Sequence, residues 1–170
     1  RPETEIIVEQ ALNYISDNSK SKKILDIGTG SGCIIISILK ERAKCSATAI
    51  DISHNALKVA KINAKMHHLE NKIKFINIDV DKFNTNKYDL ILSNPPYIDR
   101  VSFARLDDEI KLFEPKLALS GGLDGFKEIK KVIKKGNKLL KYNGKLIIEI
   151  GDGQTNKSLK LLRDNGFYIN

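Results

Sequence analysis

Lys23-Ile24-Leu25-Asp26-Ile27-Gly28-Thr29-Gly30-Ser31-Gly32-Cys33-Ile34-Ile35-Ile36 is an apolar, partly β-branched run, then glycine at three alternate positions, then an apolar segment. β-Branched residues suit a pleated, half-buried surface, so Lys23 to Ile27 reads as a strand. The glycines let the backbone turn tightly and approach a ligand with no Cβ in the way. The helix that follows offers unpaired N–H groups at its N-terminus.

That strand–turn–helix pattern repeats outward along the chain. Further short runs at Ala47 to Ile50, Ile73 to Ile78, Tyr88 to Leu92 and Lys145 to Ile150 read as strands. Stretches with helical spacing fall at Thr4 to Ser16, Ser31 to Glu41, Ser53 to His67, Asp124 to Leu140 and Thr155 to Asn165. Ser53 and Asp124 are expected to cap the third and fourth helices, and Asn143-Gly144 to close the turn into the last long strand. Alternation of this kind predicts the α/β class, a parallel sheet with helices on both faces. The stretch Asn94 to Gly122 is irregular, and an excursion of that length in a compact domain usually serves a binding site or lid.

Composition narrows the class. With 170 residues, 41% hydrophobic and 29% charged, the chain can bury a core as one domain, which excludes disorder, collagen and a disulfide scaffold. The longest apolar run, Cys33 to Leu39, is far shorter than the roughly 18 residues of a membrane span. Cys33 and Cys45 form no CxxC pair and fit a reducing cytoplasm, with Cys33 expected as a small buried side chain. His54, His67 and His68 share no metal-ligand spacing, and no metal is expected. Both ends look cut, since Arg1 is no start methionine and Tyr168-Ile169-Asn170 stops as a strand begins.

Three further positions gather with the glycine turn at the carboxyl ends of the first strands, where open α/β sheets bind ligands. Asp51, ending strand two, can accept from both hydroxyls of a ribose. Asp79, after strand three, is placed to meet an adenine amino group while Val80 packs on the ring. Each alone could be a turn or cap carboxylate. A dinucleotide fingerprint would want glycine or alanine where Cys33 stands, and acidic Asp26 suits a cationic ligand better than a pyrophosphate. S-adenosylmethionine satisfies all of these features.

Strand four ends in Ser93-Asn94-Pro95-Pro96-Tyr97. Two prolines fix φ and restrict the residues before them, leaving a rigid extended segment. The Asn94 side-chain oxygen and the Pro95 carbonyl can both accept from one planar NH2 group, with the Tyr97 ring against its flat face. Such an amine is a poor nucleophile, so positioning against the methyl carbon carries most of the acceleration.

This constellation resembles the class I S-adenosylmethionine methyltransferases with an NPPY motif. Arg1-Pro2-Glu3-Thr4-Glu5, Asp26 to Gly32, Asn94 to Tyr97, Phe113-Glu114-Pro115 with Ala118-Leu119, Gly121-Gly122 and Asp124-Gly125 narrow the resemblance. In that order they look like the HemK/PrmC family of protein-(glutamine-N(5)) methyltransferases. The resemblance implies a Rossmann-like sheet truncated before its final strand pair, in a single catalytic domain lacking the family's helical N-terminal domain. It implies that Gly28, Thr29, Gly30, Ser31, Gly32, Asp51, Val80 and Asn94 contact S-adenosylmethionine. It also implies that Asn94, Pro95, Pro96 and Tyr97 hold a glutamine amide, the GGQ glutamine of a peptide chain release factor. Val80 departs from members that carry an aromatic ring there. Methylation of an exocyclic amine of DNA or RNA stays open, because NPPY is shared with adenine-amino methyltransferases, as does a non-catalytic binding domain with this fold.

The net charge of +8 is local. Lys127 to Lys145 holds eight lysines and one acid, Glu128, while the remainder balances at 21 against 20. Phe126, Ile129, Ile133 and Leu140 recur on one helical face, with Lys127, Lys130, Lys131, Lys134, Lys138 and Lys141 largely around the other. The expectation is a solvated outer face, with an RNA or ribosome contact as the lesser option.

Overall fold

The computed structural model describes residues 2–16, 20–85, 87–105 and 119–169. Its contacts group the chain into two compact units, Arg1–Asn94 with Lys138–Glu149, and Pro95–Asn137 with Ile150–Asn170.

The first unit holds α1 (Pro2–Tyr14), β1 (Lys23–Ile27), α2 (Cys33–Glu41), β2 (Ser46–Asp51), α3 (His54–Met66), β3 (Ile73–Asn77), a 3₁₀ turn (Val80–Lys82), β4 (Tyr88–Ser93) and β5 (Leu140–Ile148). The five strands form one parallel sheet in the order β3-β2-β1-β4-β5. Ile24 to Ile27 and Leu90 to Ser93 are buried at consecutive positions. Successive side chains on a strand point to opposite faces, so both faces of the sheet centre are covered, as parallel sheets require. The strand order reverses direction about β1, and the carboxyl ends of β1, β2, β3 and β4 carry Gly28, Asp51, Ile78 and Asn94.

Helix α2 buries Ile34, Ile35, Ile36, Ile38 and Leu39 in a core that includes Ile7, Ala11 and Ile15 from α1 and its end. Arg42 closes α1, its guanidinium donating to the Ile15 and Leu12 carbonyls at 2.6 and 3.1 Å. The Tyr14 hydroxyl donates to the main-chain oxygens of Asp89 and Asn143.

The second unit contains α4 (Arg100–Ala104), most of α5 (Lys127–Leu139) and α6 (Thr155–Asp164). On α5, Ile129, Val132 and Ile133 are buried, while Lys127, Lys130, Lys134 and Lys138 are exposed. Asp124 pairs with Lys130 and Lys157, and Glu128 with Lys131. The lysine stripe is thus a solvated face partly neutralised by its neighbours, although Lys135 is buried.

Several expectations are corrected. Cys33 is exposed, not buried; it falls in a stripe with Ser37 and Lys40 that faces away from the buried isoleucines. Helix α2 begins after Gly32, whose φ of 80° is left-handed and cannot continue a right-handed helix. Leu140 opens β5 instead of ending α5, and Asn143-Gly144 lies inside that strand. Between Tyr88 and Leu90 the pairing jumps from Leu140 to Lys145, so the expected turn is a bulge with Asn143 at φ 60°. The 3₁₀ turn and α4 were not legible as helical spacing; each is short and starts at an aspartate cap, Asp79 and Asp99. Phe113-Glu114-Pro115 and Ala118 lie outside the described residues. No helix among the described residues is long and apolar enough to cross a membrane.

Candidate active site

In the first unit, the turn after β1 is fastened to the end of β2. The N–H groups of Gly28 and Thr29 donate to the Ile50 carbonyl at 2.9 and 3.1 Å, and Gly30 N–H donates to Asp51 Oδ2 at 2.9 Å. Gly28 and Gly30 hold φ of 71° and 57°, and a Cβ on either would meet nothing within 4 Å. The turn therefore bares its backbone to open space, as a ligand cradle requires. Gly32 serves packing instead. A Cβ there would lie 3.1 Å from Ile36 Cδ1 and 3.2 Å from Ala60 Cβ, so its absence lets α2 and α3 close up.

Asp51 uses each carboxylate oxygen once, Oδ2 for Gly30 and Oδ1 for the Ser53 N–H at 2.8 Å. A carboxylate oxygen has further lone pairs, so acceptor capacity for two hydroxyls remains. Asn77 supports this corner from β3, its amide donating to the Asp51 and Ile52 carbonyls, both at 2.9 Å.

Asp26 is wholly buried. Thr29 Oγ1 donates to Asp26 Oδ2 at 2.6 Å, whereas Oδ1 has no hydrogen-bond partner. Burial pushes the carboxyl up to about 7, with the nearby Asp51 charge adding to the rise and the Thr29 bond opposing it. A buried carboxylate with one orphaned oxygen is costly unless a cation or donor arrives to meet it.

Asp79 caps the 3₁₀ turn, its Oδ1 accepting from Asp81 N–H at 2.8 Å, and Val80 is buried behind it. At the end of β4, Ser93 Oγ donates to the Ile27 carbonyl at 2.8 Å, tying the NPPY strand to the strand that feeds the glycine turn. Asn94 Nδ2 donates to Thr4 Oγ1 at 3.3 Å. That bond engages the amide nitrogen and leaves Oδ1 as the side chain's acceptor.

In the second unit, Pro95 is buried and Pro96 and Tyr97 are half-buried. The Tyr97 carbonyl accepts from Gln154 Nε2 at 3.0 Å. Ile98 donates its N–H to the Leu119 carbonyl and accepts from Gly121 N–H.

The structure thus gathers Asp26, Gly28 to Gly32, Asp51, Asp79, Val80 and Asn94 in one unit and Pro95 to Tyr97 in the other. Sequence reading missed Thr4, Asn77, Ser93 and Gln154. Thr4 carried a signal as part of the opening RPETE, and Ser93 as the residue that leads into Asn94 to Tyr97. Among the described residues no group of three His, Cys, Asp or Glu is arranged to hold a metal ion.

A family model for the methyltransferase small domain matches residues 5–108, the stretch that carries the glycine turn, Asp51, Asp79 and Asn94 to Tyr97. A release factor glutamine methyltransferase of Clostridium acetobutylicum is 38% identical over 170 residues, which is 98% of this chain and 59% of that protein. A ribosomal protein uL3 glutamine methyltransferase of Francisella tularensis is 38% identical over 154 residues, 90% of this chain and 49% of its own length. The chain therefore spans about half to three-fifths of these curated relatives. The crystal structure of a ribosomal protein L11 methylase from Lactobacillus delbrueckii subsp. bulgaricus matches with a TM-score of 0.68 at 23% identity, over 99% of this chain and 68% of that one.

Proposed function

The chain belongs to the methyltransferase small domain family and has the class I S-adenosylmethionine-dependent methyltransferase fold, and from that premise we propose that it is a single catalytic domain that methylates a protein glutamine. The acceptor is the side-chain amide nitrogen of the GGQ glutamine in a peptide chain release factor, in the cytoplasm where release factors work.

The residues present fit the cofactor. The orphaned, buried Asp26 Oδ1 suits a ligand bearing positive charge. Gly28 and Gly30 leave their backbone open to an approaching group. Asp51 keeps lone pairs for ribose hydroxyls, and Asp79 and Val80 are the residues for the adenine. When bound, S-adenosylmethionine supplies a methyl group activated by a sulfonium, chemistry that calls for no metal.

The remaining work is done by the acceptor segment. Pro95 and Pro96 have no N–H, so this stretch of main chain offers carbonyls and little that competes as a donor. Asn94 Oδ1 and the Pro95 carbonyl accept from the two amide hydrogens, and the Tyr97 ring covers the flat face of the group. As nitrogen gains positive charge in the transition state these acceptors bind it more tightly than in the ground state, which lowers the barrier. The proton that the methylated nitrogen gives up passes to solvent.

The observation that carries the reading is the Asn94 to Thr4 bond. As placed, the bond uses an Asn94 amide N–H and so keeps Oδ1 to accept, the polarity an NH2 substrate requires. An adenine NH2 has the same polarity, and the names of the relatives favour glutamine. Incubation with labelled S-adenosylmethionine and, in parallel, a release factor, ribosomal protein uL3, DNA and RNA tests the choice. Label in the release factor is expected. Label confined to nucleic acid would overturn the proposal, and label confined to uL3 would replace the partner but keep the chemistry.

A further inference from the structure

The geometry points to Gln154 as the positioning residue that sets the Tyr97 end of the acceptor segment, an inference that rests on the function proposed above. Gln154 occupies the N-cap of α6 but makes no side-chain cap bond. Short residues serve at that position because their oxygen reaches the first free N–H groups of the helix; here the amide is engaged elsewhere. Its Oε1 accepts from Gly151 N–H at 2.9 Å and its Nε2 donates to the Tyr97 carbonyl at 3.0 Å.

The surrounding backbone leaves no slack. A Cβ on Gly125 would stand 2.5 Å from the Tyr97 carbonyl oxygen and 2.7 Å from Gln154 Nε2. A Cβ on Gly151 would stand 2.8 Å from Tyr97 Cδ2 and 3.2 Å from Gln154 Oε1. Gly125 and the Gln154 amide therefore lie against the Tyr97 carbonyl, and Gly151 lies against one edge of its ring. The next residue, Ile98, is bonded on both its N–H and its carbonyl.

This arrangement needs a donor and an acceptor on one planar head at a fixed reach. Glutamine has both. Asparagine is one methylene short, and an ionised glutamate has only acceptors and would set a negative oxygen against the Tyr97 carbonyl. Tyr97 has to lie flat on the acceptor group while its neighbours hold the nitrogen, and small misplacements of such a surface cost rate heavily. The Gln154 amide acts on the acceptor segment through its bond to the Tyr97 carbonyl, so its contribution is expected in turnover and not in cofactor affinity.

The test is Gln154→Glu, compared with wild type across pH, reading methyl transfer to release factor together with S-adenosylmethionine affinity by calorimetry. At neutral pH, kcat is expected to fall by about tenfold or more, because the variant carboxylate cannot donate to the part-buried Tyr97 carbonyl and sets a negative oxygen against it, with cofactor Kd within about twofold. As pH falls and the introduced carboxyl takes a proton, it regains a donor, so the ratio of variant to wild-type kcat should recover. A variant with wild-type kcat at neutral pH overturns the inference, as does loss of turnover and cofactor binding in parallel. If Gln154→Glu does not fold, Gln154→Met takes its place at neutral pH; failure of both to fold makes Gln154 a folding residue and also overturns it. Wild type that methylates a nucleic-acid amine and no glutamine refutes the substrate reading alone, and the same comparison is then made on that amine. Wild type that methylates neither refutes both.

Discussion

Replacing Asp26 by asparagine should stabilise the cofactor-free protein at alkaline pH while weakening its cofactor binding. The folded carboxyl sits at about 7 against 3.8 for the free group. At about 1.4 kcal/mol per tenfold change in proton affinity, that gap corresponds to up to about 4 kcal/mol. The sign follows from proton counts. Between pH 4 and 7 the folded protein keeps a proton on Asp26 that the unfolded chain has lost, so stability from this group falls as pH rises through that window and is level above it. Asparagine is neutral throughout and preserves the acceptor for Thr29, but its NH2 takes the place of the orphaned Oδ1 without a partner, at a cost of about 1 to 3 kcal/mol. The net expectation is a gain for the variant at pH 8 that shrinks by up to about 4 kcal/mol as pH falls to 4, where both side chains are neutral and each carries an unpartnered donor. Urea unfolding of both proteins across pH 4 to 8 measures this. Only the difference between them is needed, which cancels carboxylates such as Asp89 and Asp124 that titrate in the opposite sense. Burial raises Asp89, but hydrogen bonds to Lys141 and Lys23 outweigh it, and Asp124 is held low first by its bond to Lys157. A difference independent of pH would refute the assigned burial penalty. Undiminished S-adenosylmethionine affinity in the variant would refute the role of Asp26 toward a cationic ligand.

Asn94→Ala should lower turnover on the order of a hundredfold or more while cofactor binding stays measurable, since it removes an acceptor used most strongly in the transition state; unchanged steady-state turnover would contradict this. Thr4→Val should reduce kcat roughly tenfold by freeing the Asn94 amide to rotate, and Thr4→Ser should restore most of it; equal rates for valine and serine would show that the hydroxyl orients nothing. Asp51→Ala should weaken S-adenosylmethionine by roughly tenfold or more, as expected for a charge-assisted hydrogen bond of about 1.5 to 3 kcal/mol, and calorimetry showing wild-type affinity would remove Asp51 from the cofactor site.

The sheet and its glycine turn were legible because they rest on local signals. Short β-branched runs and helical spacing marked the strands and helices, and alternate glycines marked the turn whose positive φ values the structure shows. The parts that were not legible depend on contacts between residues distant in sequence. Thr4 and Asn94 are 90 positions apart, and Tyr97 and Gln154 are 57 apart. No pattern along the chain pairs them. The orphaned oxygen of Asp26 is a product of burial by the whole first unit, so the sequence could suggest an acidic group but not its raised proton affinity. Cys33 was misjudged for a related reason: its apolar neighbours suggested burial, but the rotation of α2 that the core requires turns positions 33, 37 and 40 outward. Asn143-Gly144 did mark a positive-φ turn, which the continuing pairing of β4 with β5 absorbs as a bulge.

The central claim, that Asn94 to Tyr97 hold a glutamine amide for methylation, is tested most directly by locating the methyl group. Release factor treated with the chain and S-adenosylmethionine would be digested and fragmented by mass spectrometry, alongside a release factor whose GGQ glutamine is replaced. One methyl is expected on the side-chain nitrogen of that glutamine, absent from the substituted release factor and from reactions with Asn94→Ala. A methyl group on any other residue, or an unmodified GGQ glutamine after wild-type treatment, would contradict the claim.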